Sequence, residues 1–349
     1  MSAKKLHVAM VAPPWFDVPP RKYGGIEAVL ADLVEALVDR GHEVTLIGVG
    51  EDRTRARLIP TFPQPLGERL GEPFPEVLHA AHAARIIDQL DVDVIHDHSL
   101  AGPLVAAGRE VPTVVTVHGP ATGELGEYYR QLGTTVSLVA ISDRQRRIAP
   151  DLNWQATVHN AIRVDGFPYQ DEKEDWVLFL GRCVQDKGMH VAIDAARAAG
   201  RRIVLAAKCF EPSERAYFDA EIAPRLGPDT EWLGEVDAAQ KKDLLSRARC
   251  LLFPILWEEP FGMVMIESLA CGTPIVALRR GSVPEVVIDG LTGIICDDPD
   301  ELPAALHEVG TIDPELCRKD VIDRFRPEVM AAGYEDAYRA VAERSELLA

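Results

Sequence analysis

The sequence predicts an α/β protein of two doubly wound domains, and three observations predict it. Short apolar runs of strand length alternate with segments of helical periodicity almost without a break, the pattern restarts near the middle of the chain, and the length of 349 residues suits two hydrophobic cores better than one. Near-continuous apolar strands separated by helices belong to a parallel sheet covered on both faces. Hydrophobic residues at 47% and charged residues at 26% are ordinary globular values, which sets aside disordered, collagen-like and coiled-coil chains.

The elements follow in order. The opening MSAKKLHVAMVAPPW resembles a short signal peptide, but His7 interrupts its apolar run and Pro13-Pro14 ends it without a small-residue cleavage pattern, so Leu6 to Val11 reads as the first strand. Ile26, Val29, Leu30, Leu33, Val34, Leu37 and Val38 recur at helical spacing, and Gly41 supplies the stop. Val44 to Val49, Val92 to His96, Thr113 to Val117 and Val136 to Ile141 read as strands, with a helix from Glu76 to Leu90. The second series has strands at Trp176 to Leu180, Arg202 to Ala207, Thr230 to Leu233, Cys250 to Pro254 and Pro274 to Leu278. Its helices are Met189 to Ala199, Asp237 to Arg247 and Met263 to Ala270. These patterns divide the chain into a first domain over 1–162, a second over 163–326 and a closing helix over 327–349 that packs back across the domains. The stretch from Ala161 to Asp175, rich in Asp, Glu and Gly and carrying Pro168, suits a hinge.

Charge and cysteine usage narrow the function classes. Lys and Arg number 37 against 55 Asp and Glu, a net −18 that repels phosphates over the general surface and argues against nucleic acid or an anionic membrane as partner. The six cysteines all lie in the second half without a Cys-x-x-Cys pair, so neither a disulfide framework nor a thiolate zinc site is expected, and a reducing cytosol is the simplest setting. No apolar run is long enough to span a bilayer, so the chain reads as soluble and cytoplasmic, or at most peripheral to a membrane.

Open parallel sheets bind ligands beyond the carboxyl ends of their strands, so chemistry is sought in the strand-to-helix loops. The first loop ends Lys22-Tyr23-Gly24-Gly25-Ile26-Glu27, and paired glycines at a helix start let backbone amides approach a phosphate; a plain flexible turn reads equally well. No third glycine completes a dinucleotide fingerprint there, Arg53 breaks the one begun by Gly48 and Gly50, and no Walker A lysine motif occurs. In the second domain, Gly181-Arg182-Cys183-Val184-Gln185-Asp186-Lys187-Gly188 places a guanidinium and an ammonium in the loop after the first strand, a pair able to neutralise a diphosphate or simply to face solvent. Further on, Gly262, Met263 and Val264 expose amides at a helix start, while Glu259 and Glu267, with seven residues between them, are free to take sugar hydroxyls or to serve as solvated charges favouring the dipole.

Glu259 and Glu267, followed by Ser268-Leu269-Ala270-Cys271-Gly272-Thr273-Pro274-Ile275-Val276, resemble the Glu-X7-Glu donor-site signature of retaining glycosyltransferases of family 4. The GRxxxxKG element at Gly181 to Gly188, the Gly24-Gly25 loop and Leu233-Gly234-Glu235-Val236 resemble the same family in the same order, over Leu6 to Asp297. The resemblance implies the GT-B architecture, two Rossmann-like doubly wound domains facing a cleft that clamps the donor and excludes water. It implies transfer of a sugar from a nucleotide diphosphate sugar, UDP-hexose by family frequency, to a hydroxyl acceptor that is a saccharide, a lipid-linked molecule or a small molecule. Arg182 and Lys187 then hold the diphosphate, Gly24 and Gly25 approach it from the other domain, Glu267 holds the ribose, and the Val236 backbone lies at the base. Glu259 with the amides of Gly262, Met263 and Val264 faces the transferred sugar, and His118, in Thr116-Val117-His118-Gly119, matches the family histidine near the sugar and the leaving oxygen. With no obvious covalent nucleophile, the family analogy favours front-face attack, in which a donor phosphate oxygen takes the acceptor proton. No cofactor and no metal are expected.

Three features stand apart. Many relatives carry a glycine-rich loop after the second strand of the nucleotide domain, whereas this chain has Ala207-Lys208-Cys209-Phe210-Glu211, leaving Lys208 either near the phosphates or facing solvent. His96-Asp97-His98 invites a metal reading, but alternating residues leaving a strand point to opposite sides and no third ligand is recognisable, so lining an acceptor cleft is preferred. Arg144, Arg146 and Arg147 form a basic cluster on a helix, which suits a phosphorylated or lipid-linked acceptor or a solvated face. Rival functions are a same-fold epimerase or phosphorylase and a non-catalytic nucleotide-sugar-binding protein.

Overall fold

The computed structural model describes residues 4–21 and 24–348. The chain forms two compact units, Met1–Ala161 with Pro327–Ala349, and Ile162–Arg326, so it passes between them at two places.

The first unit contains β1 (His7–Val11), α1 (Gly25–Asp39), β2 (Glu43–Val49), β3 (Arg57–Phe62), α2 (Pro73–Ile87), β4 (Val94–Asp97), β5 (Thr113–Val117), α3 (Gly123–Leu132), β6 (Ser137–Ala140), α4 (Asp143–Ile148) and β7 (Trp154–Thr157). The strands pair in parallel in the order β3-β2-β1-β4-β5-β6-β7. Burial explains why the central strands read as unbroken apolar runs: Val8 to Val11 and all of β5 are buried, because helices cover both faces. Val29, Leu30, Leu33, Val34 and Leu37 form the buried stripe of α1. Pro73 opens α2 at the first helical turn, where a missing N–H leaves no bond unmade. Residues 327–348 form α12 below, counted with this unit.

The second unit contains β8 (Trp176–Arg182), α5 (Met189–Ala198), β9 (Arg202–Lys208), α6 (Pro212–Tyr217), β10 (Thr230–Gly234), α7 (Ala238–Arg247), β11 (Cys250–Phe253), α8 (Met263–Ala270), β12 (Ile275–Leu278), α9 (Val283–Val286), β13 (Gly293–Cys296), α10 (Leu302–Glu308) and α11 (Pro314–Arg324). Its parallel order is β10-β9-β8-β11-β12-β13. Asp237 starts α7 by accepting bonds on Oδ1 from the amides of Ala239 at 2.9 Å and Gln240 at 2.8 Å. The last helix, α12 (Pro327–Leu348), packs on α1 and β7 of the first unit, burying Tyr334 and Tyr338, and Arg40 Nε donates to Glu335 at 2.7 Å.

In each sheet the strand order reverses at one place, between β1 and β4 and between β8 and β11. Loops leaving neighbouring strands on either side of such a switch run in opposite directions and open a crevice at the carboxyl edge, the favoured ligand position in open α/β sheets.

The structure differs from the sequence expectation in particulars. Residues 162–175 are stitched to the second unit: Ile162 N donates to Phe325 O at 3.0 Å, Glu174 N to Arg247 O at 2.8 Å, and Lys173 Nζ to the carbonyls of Ser246 and Cys271 at 2.8 and 2.9 Å. A hinge over that whole stretch is therefore replaced by a short crossing. The helix expected over Glu76 to Leu90 runs one turn earlier, Pro73–Ile87, and Arg182 is the last residue of β8 instead of a loop residue.

Candidate active site

In the second unit, the loops after β8 and β11 meet across the switch. Lys187 ends a single turn of 3-10 helix, and its Nζ donates to Glu259 Oε2 while lying 5.3 Å from the centre of the Trp257 ring. Trp257 Nε1 donates to the same Glu259 oxygen at 2.9 Å. Leu256 N donates to Asp186 O at 2.8 Å, so backbone as well as charge ties the loops together. Gly188 follows with φ of 70°, and a Cβ there would fall 2.0 Å from Pro254 O; close approach of the β11 loop thus explains the glycine that closes GRxxxxKG.

Glu259 is held from behind by residues the sequence reading passed over. Ser282 N donates to Glu259 O at 3.0 Å, Ser282 Oγ to Phe261 O at 2.7 Å, and Gly281 N to Glu258 Oε2 at 3.0 Å. Gly281 has φ of 52°, and a Cβ on it would lie 2.3 Å from the Glu259 carbonyl oxygen. Gly262 then caps α8, and Met263 and Val264 are its first residues, whose amides precede the first intrahelical bonds. Glu267, the fifth helical residue, accepts from Lys241 Nζ of α7 at 2.6 Å. Between β10 and α7 lies an open depression of about 500 Å³ lined by Leu233, Glu235, Val236, Gln240 and Leu244 among others, which puts Val236 beside the helix that carries Lys241.

Arg182 is anchored by another pair that sequence reasoning missed. Its Nε and Nη2 donate to Glu214 Oε1 at 3.0 and 2.9 Å, and Glu214 Oε2 accepts from the amides of Phe210 and Glu211 at 2.9 and 3.2 Å. Burial pushes the Glu214 carboxyl up, but these amides and the guanidinium outweigh it and hold the group below the usual range. The signal available in the sequence was only a glutamate after Pro212 at a helix start.

In the first unit, Gly24 caps α1 and Gly25 is its first residue; Lys22 and Tyr23 lie outside the described residues. Glu27, buried one turn on, is pushed up to about 7 by burial, its own backbone hydrogen bond opposing. His118 leaves the end of β5, and its Nε2 shares a hydrogen bond of 2.8 Å with Nδ1 of His98, which leaves the end of β4. His98 Nε2 lies 3.1 Å from Met10 Sδ. A thioether only accepts, so the partners assign the proton of His98 to Nε2 and make His118 Nε2 the donor to His98 Nδ1. Burial pushes His118 down to about 4 and His98 well below its ordinary value, so both rings are neutral near pH 7.

The acceptor-lining reading of the neighbouring motif is corrected. Strand alternation separates Asp97 from the histidines but leaves His96 and His98 on one side, their ring centres 3.9 Å apart. His96 is fully buried, its Nδ1 and Nε2 hydrogen-bonded to Tyr338 Oη at 2.7 Å and Thr116 Oγ1 at 2.8 Å, so it is a core residue under α12. His98 serves as the support of His118. Asp97 accepts from Ser99 N and Oγ at 2.8 and 2.7 Å, and burial pushes it up to about 6. Among the described residues no three His, Cys, Asp or Glu side chains gather into a group able to hold a metal ion, and no helix is long and apolar enough to cross a membrane. All six cysteines are free thiols. Arg146 of the basic cluster turns to Thr157 Oγ1 at 3.4 Å.

Comparison with known proteins fits both units. Residues 23–165 match Glycosyltransferase Family 4, and residues 167–318 match Glycosyl transferases group 1. A phosphatidyl-myo-inositol mannosyltransferase of Mycolicibacterium smegmatis is 28% identical over 93% of this chain and 89% of its own. Among solved structures, a glycosyltransferase involved in avilamycin A biosynthesis superposes with a TM-score of 0.73 at 26% identity, covering 97% of this chain and 98% of that one. A sucrose-phosphate synthase of Thermosynechococcus elongatus, with a TM-score of 0.75, 18% identity and 97% and 100% coverage, shares the fold.

Proposed function

Because the chain belongs to glycosyltransferase family 4 and has the GT-B fold of two Rossmann-like domains, we propose that it moves a hexosyl group from a nucleoside diphosphate sugar to a hydroxyl acceptor with retention at the anomeric carbon. The observation that carries the donor assignment is the bonded cluster at the β8–β11 switch, where Lys187, Glu259 and the α8 start converge in the loop that Arg182 enters at the end of β8. Arg182 and Lys187 take the diphosphate, Glu267 the ribose, and the depression at Val236 the base. The roles that the family gives Gly24, Gly25 and His118 belong to the same proposal.

Cleavage of the glycosidic bond builds negative charge on the departing diphosphate, and fixed cations aimed at that charge lower the barrier. Glu259 has one oxygen engaged by both Lys187 and Trp257, which suits a sugar-binding carboxylate better than a covalent nucleophile. A donor phosphate oxygen therefore accepts the acceptor hydroxyl proton as that hydroxyl attacks from the same face.

UDP-hexose is the first donor to test. The mannosyltransferase relatives favour a second reading, a mannosyl donor and an inositol-lipid acceptor. Incubation with UDP-glucose, UDP-galactose, GDP-mannose and ADP-glucose, with mass spectrometry for released nucleotide and NMR for the anomeric configuration of the product, tests both. A product of inverted configuration, or an epimerised donor formed without acceptor, contradicts the proposal.

A further inference from the structure

β8 and β9 end side by side with Arg182 paired in register to Lys208, so each strand delivers a cation to the same edge of the sheet. Both cations touch one carboxylate oxygen. Glu211 Oε1 accepts from Arg182 Nη2 at 3.2 Å and from Lys208 Nζ at 3.3 Å. An oxygen shared by a guanidinium and an ammonium sits where the same pair would hold a phosphate oxygen.

The two glutamates on Arg182 differ in kind. Glu214 is buried, takes two nitrogens of the guanidinium and two backbone amides, and fixes the direction of the fork. Glu211 has a side chain 51% exposed and makes the longer contacts, and an exposed pair of this sort contributes little. It can be displaced by an anion of higher charge, whereas Glu214 cannot leave without stranding Arg182.

We propose that Lys208 is a further diphosphate-binding residue and that Glu211 is an internal carboxylate holding the place of a donor phosphate oxygen until the nucleoside diphosphate displaces it. This rests on the donor-site reading of the second unit. The segment after β9, Ala207-Lys208-Cys209-Phe210-Glu211, has no glycine whose backbone could approach a phosphate closely and presents a side-chain cation at that edge instead.

The proposal requires opposite signs from neighbouring residues. Lys208→Ala removes a charge-assisted contact and weakens binding of UDP or GDP about tenfold. Glu211→Gln keeps the shape, removes the competing charge and tightens binding about threefold, a gain that shrinks at high salt. Calorimetric titration of the full chain with UDP and with GDP, at low and high salt, reads both, with thermal unfolding to verify the fold and Lys187→Ala as reference. Wild-type affinity in Lys208→Ala, or weaker binding in Glu211→Gln, overturns the proposal. If Lys187→Ala weakens binding while Lys208→Ala does not, only this inference fails; if the wild type binds neither nucleotide, the donor-site reading fails with it.

Discussion

The two units carry their candidate groups at the carboxyl edges of like parallel sheets and build them from opposite electrostatics. Beyond β4 and β5, His98 and His118 are neutral rings held by each other and by Met10, pressed below their ordinary pKa by burial. Beyond β8 and β11, the groups are ions that already have partners: Arg182 with Glu214, Lys187 with Glu259, Lys241 with Glu267. A shared fold thus sets where a ligand goes and leaves the chemistry to the loops. On the donor-site reading proposed above, ligand binding in the second unit would exchange ionic partners and so be sensitive to charge and salt, whereas the neutral rings of the first unit would respond only to strong acidification.

The largest effect that would break this contrast is expected at Arg182. Arg182→Ala loses a charge-assisted contact to the donor, about 1.5–3 kcal/mol or at least tenfold in nucleotide affinity. It also leaves the buried Glu214 without its cation, on the amides of Phe210 and Glu211 alone, which destabilises by about 3 kcal/mol and lowers the unfolding midpoint. Lys187→Ala has a similar effect on affinity, but Glu259, 11% exposed where Glu214 is 0%, can reach water as well as Trp257 Nε1, so its unfolding midpoint falls less. Equal unfolding midpoints for the two variants would contradict the asymmetry.

A smaller effect separates the two site glutamates. Glu267→Gln replaces a charged ribose acceptor and weakens UDP and UDP-sugar alike, by about tenfold. Glu259→Gln releases Lys187 from its ion pair, so the bare nucleotide binds at least as well as to wild type while turnover falls, since the lost contact matters when charge develops on the sugar. Titration of both variants alongside turnover decides, and comparable weakening of bare UDP in the two means that the roles are wrongly divided.

These pairings also mark what the sequence could and could not show. Buried central strands such as β5 announce themselves because both faces are apolar, and α8 was legible to the residue because Gly262 precedes it and Cys271-Gly272 follows. The strands that went unread, β3, β7 and β13, are all edges of their sheets, where one side meets no neighbouring strand, patterning is diluted and even Pro60 is tolerated. Lys187, Glu259 and Glu267 stood in recognisable spacing. Glu214, Lys241, Gly281 and Ser282 did not, because each acts on residues 21 to 32 positions away through contacts that only the packed sheet creates. His96 was misread for the same reason: the tyrosine that sequesters it comes from 242 residues downstream.

Acidification should move the first unit more subtly. Burial disfavours imidazolium, so the folded-state pKa of His118, about 4, lies below the ordinary 6.5. The unfolded chain then binds more protons between those values, and stability from this group is full above about pH 6.5 and declines as pH falls toward 4. Asp97, raised by burial to about 6, acts in the opposite sense as it takes up a proton, which blunts the net change in stability. The rings themselves give the cleaner reading: imidazole NMR signals of His118 should titrate with a midpoint near 4 and remain neutral at pH 6. A midpoint at or above 6.5 would mean that the pair is hydrated and not the dry neutral site described.

The smallest expected effect is none at all, and it bears on the second unit. Enzymes that hold a nucleoside diphosphate through a divalent ion need carboxylates or other oxygen donors free to bind it. Here Glu259 and Glu267 are each paired with a lysine, and on the proposed donor reading Arg182, Lys187 and Lys208 would supply the positive charge that an ion supplies elsewhere. The Asp91-Val92-Asp93 sequence, which has the form of an Asp-x-Asp metal motif, stands at the amino end of β4, where Asp93 Oδ2 accepts from His7 N at 2.7 Å and Oδ1 from Lys4 Nζ at 2.9 Å; it is committed to tying β1 to its neighbour at the edge remote from the ligand side. Turnover should therefore be the same with and without a chelator such as EDTA, and added Mg²⁺ should not raise it. Loss of activity in EDTA that Mg²⁺ or Mn²⁺ restores would show that the cations of β8 and β9 do not suffice, and would collapse the contrast between a crevice of paired ions and one of neutral rings.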